Sequence, residues 1–239
     1  MASINYYLGE LSGTVGNEVH YTRFGKKYVR SKATTFTDCQ SDAQLRQRAL
    51  FKAMLHTSAL YGSILQRGLT KYAHDKGMTE ANMFSNLNKD KFVYDNGKVI
   101  IKYRYLILAQ GPITAVDFTG FKHNGLNVEL TFNSQLDSSR SKLDDVVHIY
   151  AVEPDIEVCE LVASVERVAG HAEFTLPDLS NDPNCKTAPT FYLYAIVERA
   201  NTAYVPTLSA AEKKLHKRHR NINRMVSRSV FIGTVDAKH

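Results

Sequence analysis

An α+β, mainly β fold is predicted by three observations. From residue 91 onward, apolar residues recur with a period of two in run after run, each closed by turn residues. Ahead of them, residues 41–67 carry a wide apolar stripe at helical spacing, uninterrupted by proline. Near the start, residues 12–36, SGTVGNEVHYTRFGKKYVRSKATTF, read as a β-hairpin. The 13 Tyr and 11 Phe agree with a β-rich body, because aromatic side chains suit a pleated surface.

In the hairpin, EVHYTR and KYVRSK alternate, with Val19, Tyr21 and Arg23 on one face and His20 and Thr22 on the other. Gly25 supplies the positive φ of a short loop, and the glycines of GELSGTVGNEV bring the chain in through a tight turn. Ser41 and Gln44 then form a capping box opening a helix that is expected to stop near Arg67 or Gly68. Its stripe is Leu45, Ala49, Met54, Leu55, Tyr61, Ile64 and Leu65. A second helix begins around Thr79 and presents Met83, Phe84 and Leu87 together. Asn96-Gly97 then marks a second hairpin within KFVYDNGKVIIKYRYLIL.

Seven strand-like runs follow: ITAVDFTGF, LNVELTFN, DDVVHIYAVE, EVCELVASVERV, HAEFTLPDL, TFYLYAIVERA and SRSVFIGTV. Their number and spacing point to an immunoglobulin-like or fibronectin-type sandwich. Residues 208–226 break the pattern and read as a basic helix, with Ser209 and Glu212 as its capping box, inserted before the last strand. The expected division is 1–110, the hairpin, helical and short β region, and 111–239, the sandwich with its insertion; Gly111-Pro112 is the joint.

The formal charge of +6 is unevenly placed. Residues 19–52 hold eight Lys/Arg against two Asp, and residues 213–228 hold seven Lys/Arg and no acid, which leaves −7 for everything else. An acidic body therefore carries two basic pieces, and that asymmetry says more about partners than the overall charge does. Cys39, Cys159 and Cys185 are widely spaced with no CxxC pair, which fits a reducing compartment and argues against a disulfide framework. No signal peptide is read at the start and no apolar run approaches a membrane span. The expectation is a cytoplasmic protein, or a virion protein if phage-encoded.

The residues GxxSGxVGNxVxYxRxGKxYVRSK, followed by a QLxQR helix opening, resemble the N-terminal signature of an uncharacterised family common in Bacteroidota. The matching positions are Gly9, Ser12, Gly13, Val15, Gly16, Asn17, Val19, Tyr21, Arg23, Gly25, Lys26, Tyr28 to Lys32, Gln44, Leu45, Gln47 and Arg48. Phe84, Asn88 and SRSVFIG echo the family's later pattern, a helix followed by an Ig-like half. Ala33 stands where the family usually has proline, and the basic stretch at 208–226 replaces what is usually a short hairpin. The resemblance implies a fold and an origin, and no mechanism.

Chemical motifs are few. Gly9, Gly13 and Gly16 lack the spacing and the lysine of a phosphate loop, and they precede a strand where phosphate binding wants a helix. His216 and His219 sit among seven cations, a poor divalent site. No GxSxG or HExxH occurs, and Asp144-Asp145 reads as turn chemistry. No catalytic residue, metal or cofactor is therefore assigned.

The basic hairpin residues Tyr21, Arg23, Lys26, Lys27, Tyr28, Arg30 and Lys32 admit three readings: a solvated edge strand, a docking surface in an assembly, or a nucleic-acid track. Arg46 and Arg48 on the first helix, with Lys213, Lys214, Lys217, Arg218, Arg220 and Arg224 on the basic helix, extend the same choice. The functional expectation is a non-enzymatic structural or adaptor protein. It would be one subunit of a homo-oligomer or larger assembly, bacterial or phage, with other protein subunits as partners. Nonspecific nucleic-acid binding is the alternative.

Overall fold

A computed structural model describes residues 3–5, 10–23, 26–33, 35, 38, 40–136, 141–179, 182, 188–199 and 225–236. The chain divides into two units, Met1–Leu45 and Arg46–His239. The expected joint at Gly111-Pro112 lies inside the second. The basic helix expected at 208–226 falls, but for its last two residues, outside the described residues, as do all six of its cations named above.

Unit 1 is a four-stranded antiparallel meander of β1 (Ser3–Asn5), β2 (Glu10–Val15), β3 (Glu18–Arg23) and β4 (Lys26–Ser31), in that order. The segment read as a glycine entry turn is thus largely a strand. Its alternation is hidden because Gly13, at φ 101, sits inside β2, while the turn itself is made at Gly16, φ 58.

Four helices follow, α1 (Asp42–Leu60), whose first four residues fall in unit 1, and then α2 (Gly62–Gly68), α3 (Thr70–Asp75) and α4 (Glu80–Asn88). One half of the expected capping box is present, the Gln44 N–H donating to Ser41 Oγ at 3.4 Å, and Thr79, where a second helix is expected to begin, caps α4 by accepting from the Asn82 N–H at 3.3 Å. A helix ends at Gly68, as expected, but it is α2, because α1 already breaks at Leu60. Helical bonds bridge the breaks, from Tyr61 N–H to Thr57 O, Leu65 N–H to Tyr61 O, Leu69 N–H to Leu65 O and Ala73 N–H to Leu69 O, so α1, α2 and α3 follow one another with single residues between them. Gly68 is there for close packing, since a Cβ would lie 2.5 Å from the Ala109 Cβ.

The short hairpin follows, β5 (Phe92–Asp95) and β6 (Lys98–Ile101), paired Asp95 to Lys98. Asn96 and Gly97 have φ of 47° and 81°, the two positive values a type I′ turn requires.

All seven later runs form strands: β7 (Phe118–Asn124), β8 (Asn127–Phe132), β9 (Val146–Glu153), β10 (Val158–Glu166), β11 (His171–Thr175), β12 (Thr190–Glu198) and β13 (Val230–Asp236). They make two antiparallel sheets, β11-β8-β7 and β10-β9-β12-β13. Val128, Leu130, Val147, Ile149, Leu193 and Ala195 belong to the core between them. The larger sheet is covered on its other face too. Tyr150, Val152, Tyr194 and Ile196 join Tyr61, Ile64, Leu65, Met83 and Phe84 of the helices in a second core. β9 and β12 are buried almost without a break, while β8 alternates strictly. The near-continuous apolar letters of VVHIYAV and FYLYAIV are the signature of strands covered on both faces.

Tyrosines line the helix-facing core. Tyr61 and Tyr194 meet edge to face with their hydroxyls 3.3 Å apart, and the Tyr194 hydroxyl donates to Tyr103 O at 2.8 Å. Burial holds Tyr61 and Tyr194 well above the ordinary value of 10.0, and burial, with help from Asp155, pushes Tyr103 up to about 12. Ionising a phenol costs more in the fold than in the open chain. Stability is therefore full below pH 10.0 and falls as the pH climbs from there toward about 12. Alkaline melts should show a lowered Tm through this window, with part of the tyrosinate absorbance appearing together with unfolding and not ahead of it.

Candidate docking face

The β3–β4 register decides which hairpin residues act together. Val19 pairs with Arg30, Tyr21 with Tyr28 and Arg23 with Lys26, which puts these six on one face. His20 pairs with Val29 and Thr22 with Lys27, so Lys27 belongs to the opposite face, apart from the other expected interaction residues. Lys32 continues the ladder through its N–H to Asn17 O at 2.7 Å.

Tyr21 and Tyr28 stack with ring centroids 5.5 Å apart and planes 18° from parallel. They are 41% and 43% exposed, and every residue of β4 is exposed. On the other face Val29 is 58% exposed. Among the side chains described in residues 12–22 and 26–33, none is buried.

The helical part of the expected surface is only partly available. Arg46 already lies over the Tyr94 ring, 5.7 Å from its centroid. Arg48 is exposed. Leu45 and Leu55, expected on the core-facing stripe, are 46% and 42% exposed, and Phe51, which the stripe omitted, is 49% exposed. The first buried residue of α1 is Met54, so the N-terminal half of the helix makes little core contact. Helical periodicity found an apolar face here; it carried no information about whether anything covers it.

A family model described as a family of unknown function, DUF6266, matches residues 10–205. The chain belongs to this family. The DUF6266 region takes in β2 to β12, and therefore both the exposed hairpin and the helix-facing core. No curated protein and no solved structure matches the chain.

The DUF6266 region also contains one polar cluster that sequence reading missed. Arg67 Nη1 lies 2.8 Å from Glu198 Oε2 and 2.7 Å from His148 Nε2, while His148 Nδ1 is 2.8 Å from Ser164 Oγ. His148 and Glu198 are nearly buried. Glu198 Oε2 also lies 3.4 Å from His148 Nε2. Through these contacts Arg67, His148 and Glu198 tie α2 to β9 and β12. Three letters spread over 131 positions gave no motif by which to find the cluster.

Asp145 does the turn work its sequence context suggested. Its carboxylate accepts from the Lys142 N–H at 2.8 Å and pairs with Arg199 Nε at 3.1 Å. Among the described residues no three His, Cys, Asp or Glu side chains gather to hold a metal, and no helix is long and apolar enough to cross a membrane.

Proposed function

We propose that the protein is a non-enzymatic structural or adaptor subunit of a multi-protein assembly, docked through the Tyr21/Tyr28 face of its hairpin. The observation that carries this is a stacked, exposed tyrosine pair with Lys26 and Arg30 beside it, next to a strand, β4, whose every residue is exposed. Tyr and Arg are the side chains most often found as anchors at the centre of protein interfaces. A partner covering this face would bury the two exposed rings.

Nucleic-acid binding is the weaker reading of the same residues. Single-strand binders offer separate ring faces to successive bases, whereas Tyr21 and Tyr28 spend one face each on the other. The basic segment at 213–228 joins the proposal through its charge alone. An origin in a Bacteroidota cell or one of its phages, with a cytoplasmic or virion location, rests on the N-terminal signature and belongs to this proposal. So does the immunoglobulin-like or fibronectin-type reading of the sandwich, supported by three strands, β11-β8-β7, facing four, β10-β9-β12-β13.

Sedimentation of the purified chain at low and high salt, with and without a short DNA duplex, tests the reading. The expected result is an oligomer that persists in high salt and ignores DNA. Replacing both tyrosines, Tyr21→Ala with Tyr28→Ala, should weaken it by about 2 kcal/mol per ring or somewhat less, at least tenfold overall. An oligomer unmoved by that change overturns the docking face. A monomer that shifts onto DNA at low salt and leaves it at high salt replaces this reading with the second.

A further inference from the structure

Each copy of the chain carries two sheet edges of opposite charge. β4 is the edge of the unit 1 sheet, and residues 23–32 around it hold five Lys/Arg and no acid. β10 is an edge of the four-stranded sheet of unit 2, and residues 153–166 around it hold five Asp/Glu and no Lys/Arg. Of those acids, Asp155, Glu157, Glu160 and Glu166 are exposed. Among the described residues, no strand pairs with the outer side of β4 or of β10.

The two edges share one anatomy, an apolar centre between charges. On β4, Tyr28 and Val29 lie exposed between Lys26-Lys27 and Arg30. On β10, Leu161 is 45% exposed between Glu160 and Glu166. Apolar centres with polar rims are how protein interfaces are built.

Charge then selects among the pairings. An unpaired edge strand is a template for another strand. Two β4 edges would set Lys26, Lys27 and Arg30 against their own kind, and two β10 edges would do the same with glutamates, so both symmetric pairings are opposed. One β4 against one β10 is the combination that attracts. We infer that the partner of the basic hairpin is a second copy of this chain, whose β10 edge receives β4. This rests on the docking reading above and supplies its counter-surface. The contact is heterologous, so copies add head to tail into a ring or a filament. β10 has a bulge between Leu161 and Ala163, which limits regular pairing to short runs on either side and leaves the side chains to set specificity.

A charge swap read by sedimentation of the full chain tests this. Two variants are made at exposed positions, Lys26→Glu with Arg30→Glu, and Glu160→Lys with Glu166→Lys; circular dichroism checks that each folds. Each alone should run at the monomer mass of 26.9 kDa where the wild type assembles, a loss of about a hundredfold in association. Mixed in equal amounts they should associate again, because the native β4 of the second fits the native β10 of the first. A mixture that stays monomeric overturns the inference, as does a wild type that is monomeric throughout a concentration series. If both charge variants assemble normally while Tyr21→Ala with Tyr28→Ala disperses, the hairpin docks elsewhere: the inference falls and the docking reading stands. If none of the three alters the assembly, both fall.

Discussion

Gly111→Ala is expected to destabilise the protein by about 3 kcal/mol or more. A Cβ at this position would stand 2.1 Å from Val226 O, 2.9 Å from its carbonyl carbon and 3.0 Å from its Cγ2. The obstacle is backbone that cannot swing away. Val226 O accepts from the Ile113 N–H at 3.1 Å, and next to it the Ser227 N–H donates to Val197 O at 2.8 Å while Ser227 Oγ accepts from the Val197 N–H at 3.0 Å. Val226 and Ser227 are buried, so this crossing of three chain segments has no free side to move toward. For a chain of this size 3 kcal/mol corresponds to a fall in Tm of roughly 6–12 °C, which calorimetry reads directly. An unchanged Tm would mean that the segments do not cross so closely.

Asn88→Leu should cost about 2–4 kcal/mol, by a different route. Asn88 is fully buried at the end of α4. Its Oδ1 accepts from the Ile107 N–H at 2.7 Å, and its Nδ2 donates to Ile107 O and Phe84 O, both at 2.9 Å. One amide therefore satisfies both backbone groups of Ile107, in a segment that has no strand to pair with. Leucine matches the volume but leaves those groups desolvated and unbonded. Asn88→Asp should do no better, since a carboxylate offers no donor to the two carbonyls. Denaturant melts should show a lower midpoint for both at an unchanged slope. A neutral Asn88→Leu would show that the Ile107 groups find other partners.

The family resemblance singled out Asn88 without saying why such a residue stands there. The structure gives the reason, an amide serving a neighbouring backbone, and that reason is one of stability. The same separation runs through the molecule. Buried polar groups such as Asn88, Asp145 and the Arg67, His148 and Glu198 cluster hold elements together. The tyrosines of the hairpin are different: Tyr21 and Tyr28 stack on each other while each stays more than 40% exposed.

What the sequence by itself determined are features set by a few adjacent residues. Asn96-Gly97 makes its turn because only such a pair tolerates two positive φ angles in succession, and Ser41 and Thr79 cap helices because their oxygens reach amides three residues on. The seven later strands were legible because short apolar runs closed by turn residues, alternating in β8 and near-continuous in β9 and β12, are local properties. Tertiary structure alone decided the rest, because each remaining question concerned residues far apart in the chain. Gly68 and Gly111 read as breaks until Ala109 and Val226 are seen against them. Lys27 leaves the face of Lys26 and Arg30 only once β3 fixes the register of β4. Leu45, Phe51 and Leu55 are as apolar as Met54, but exposure depends on what lies opposite, and no single stretch of sequence contains both sides of a contact.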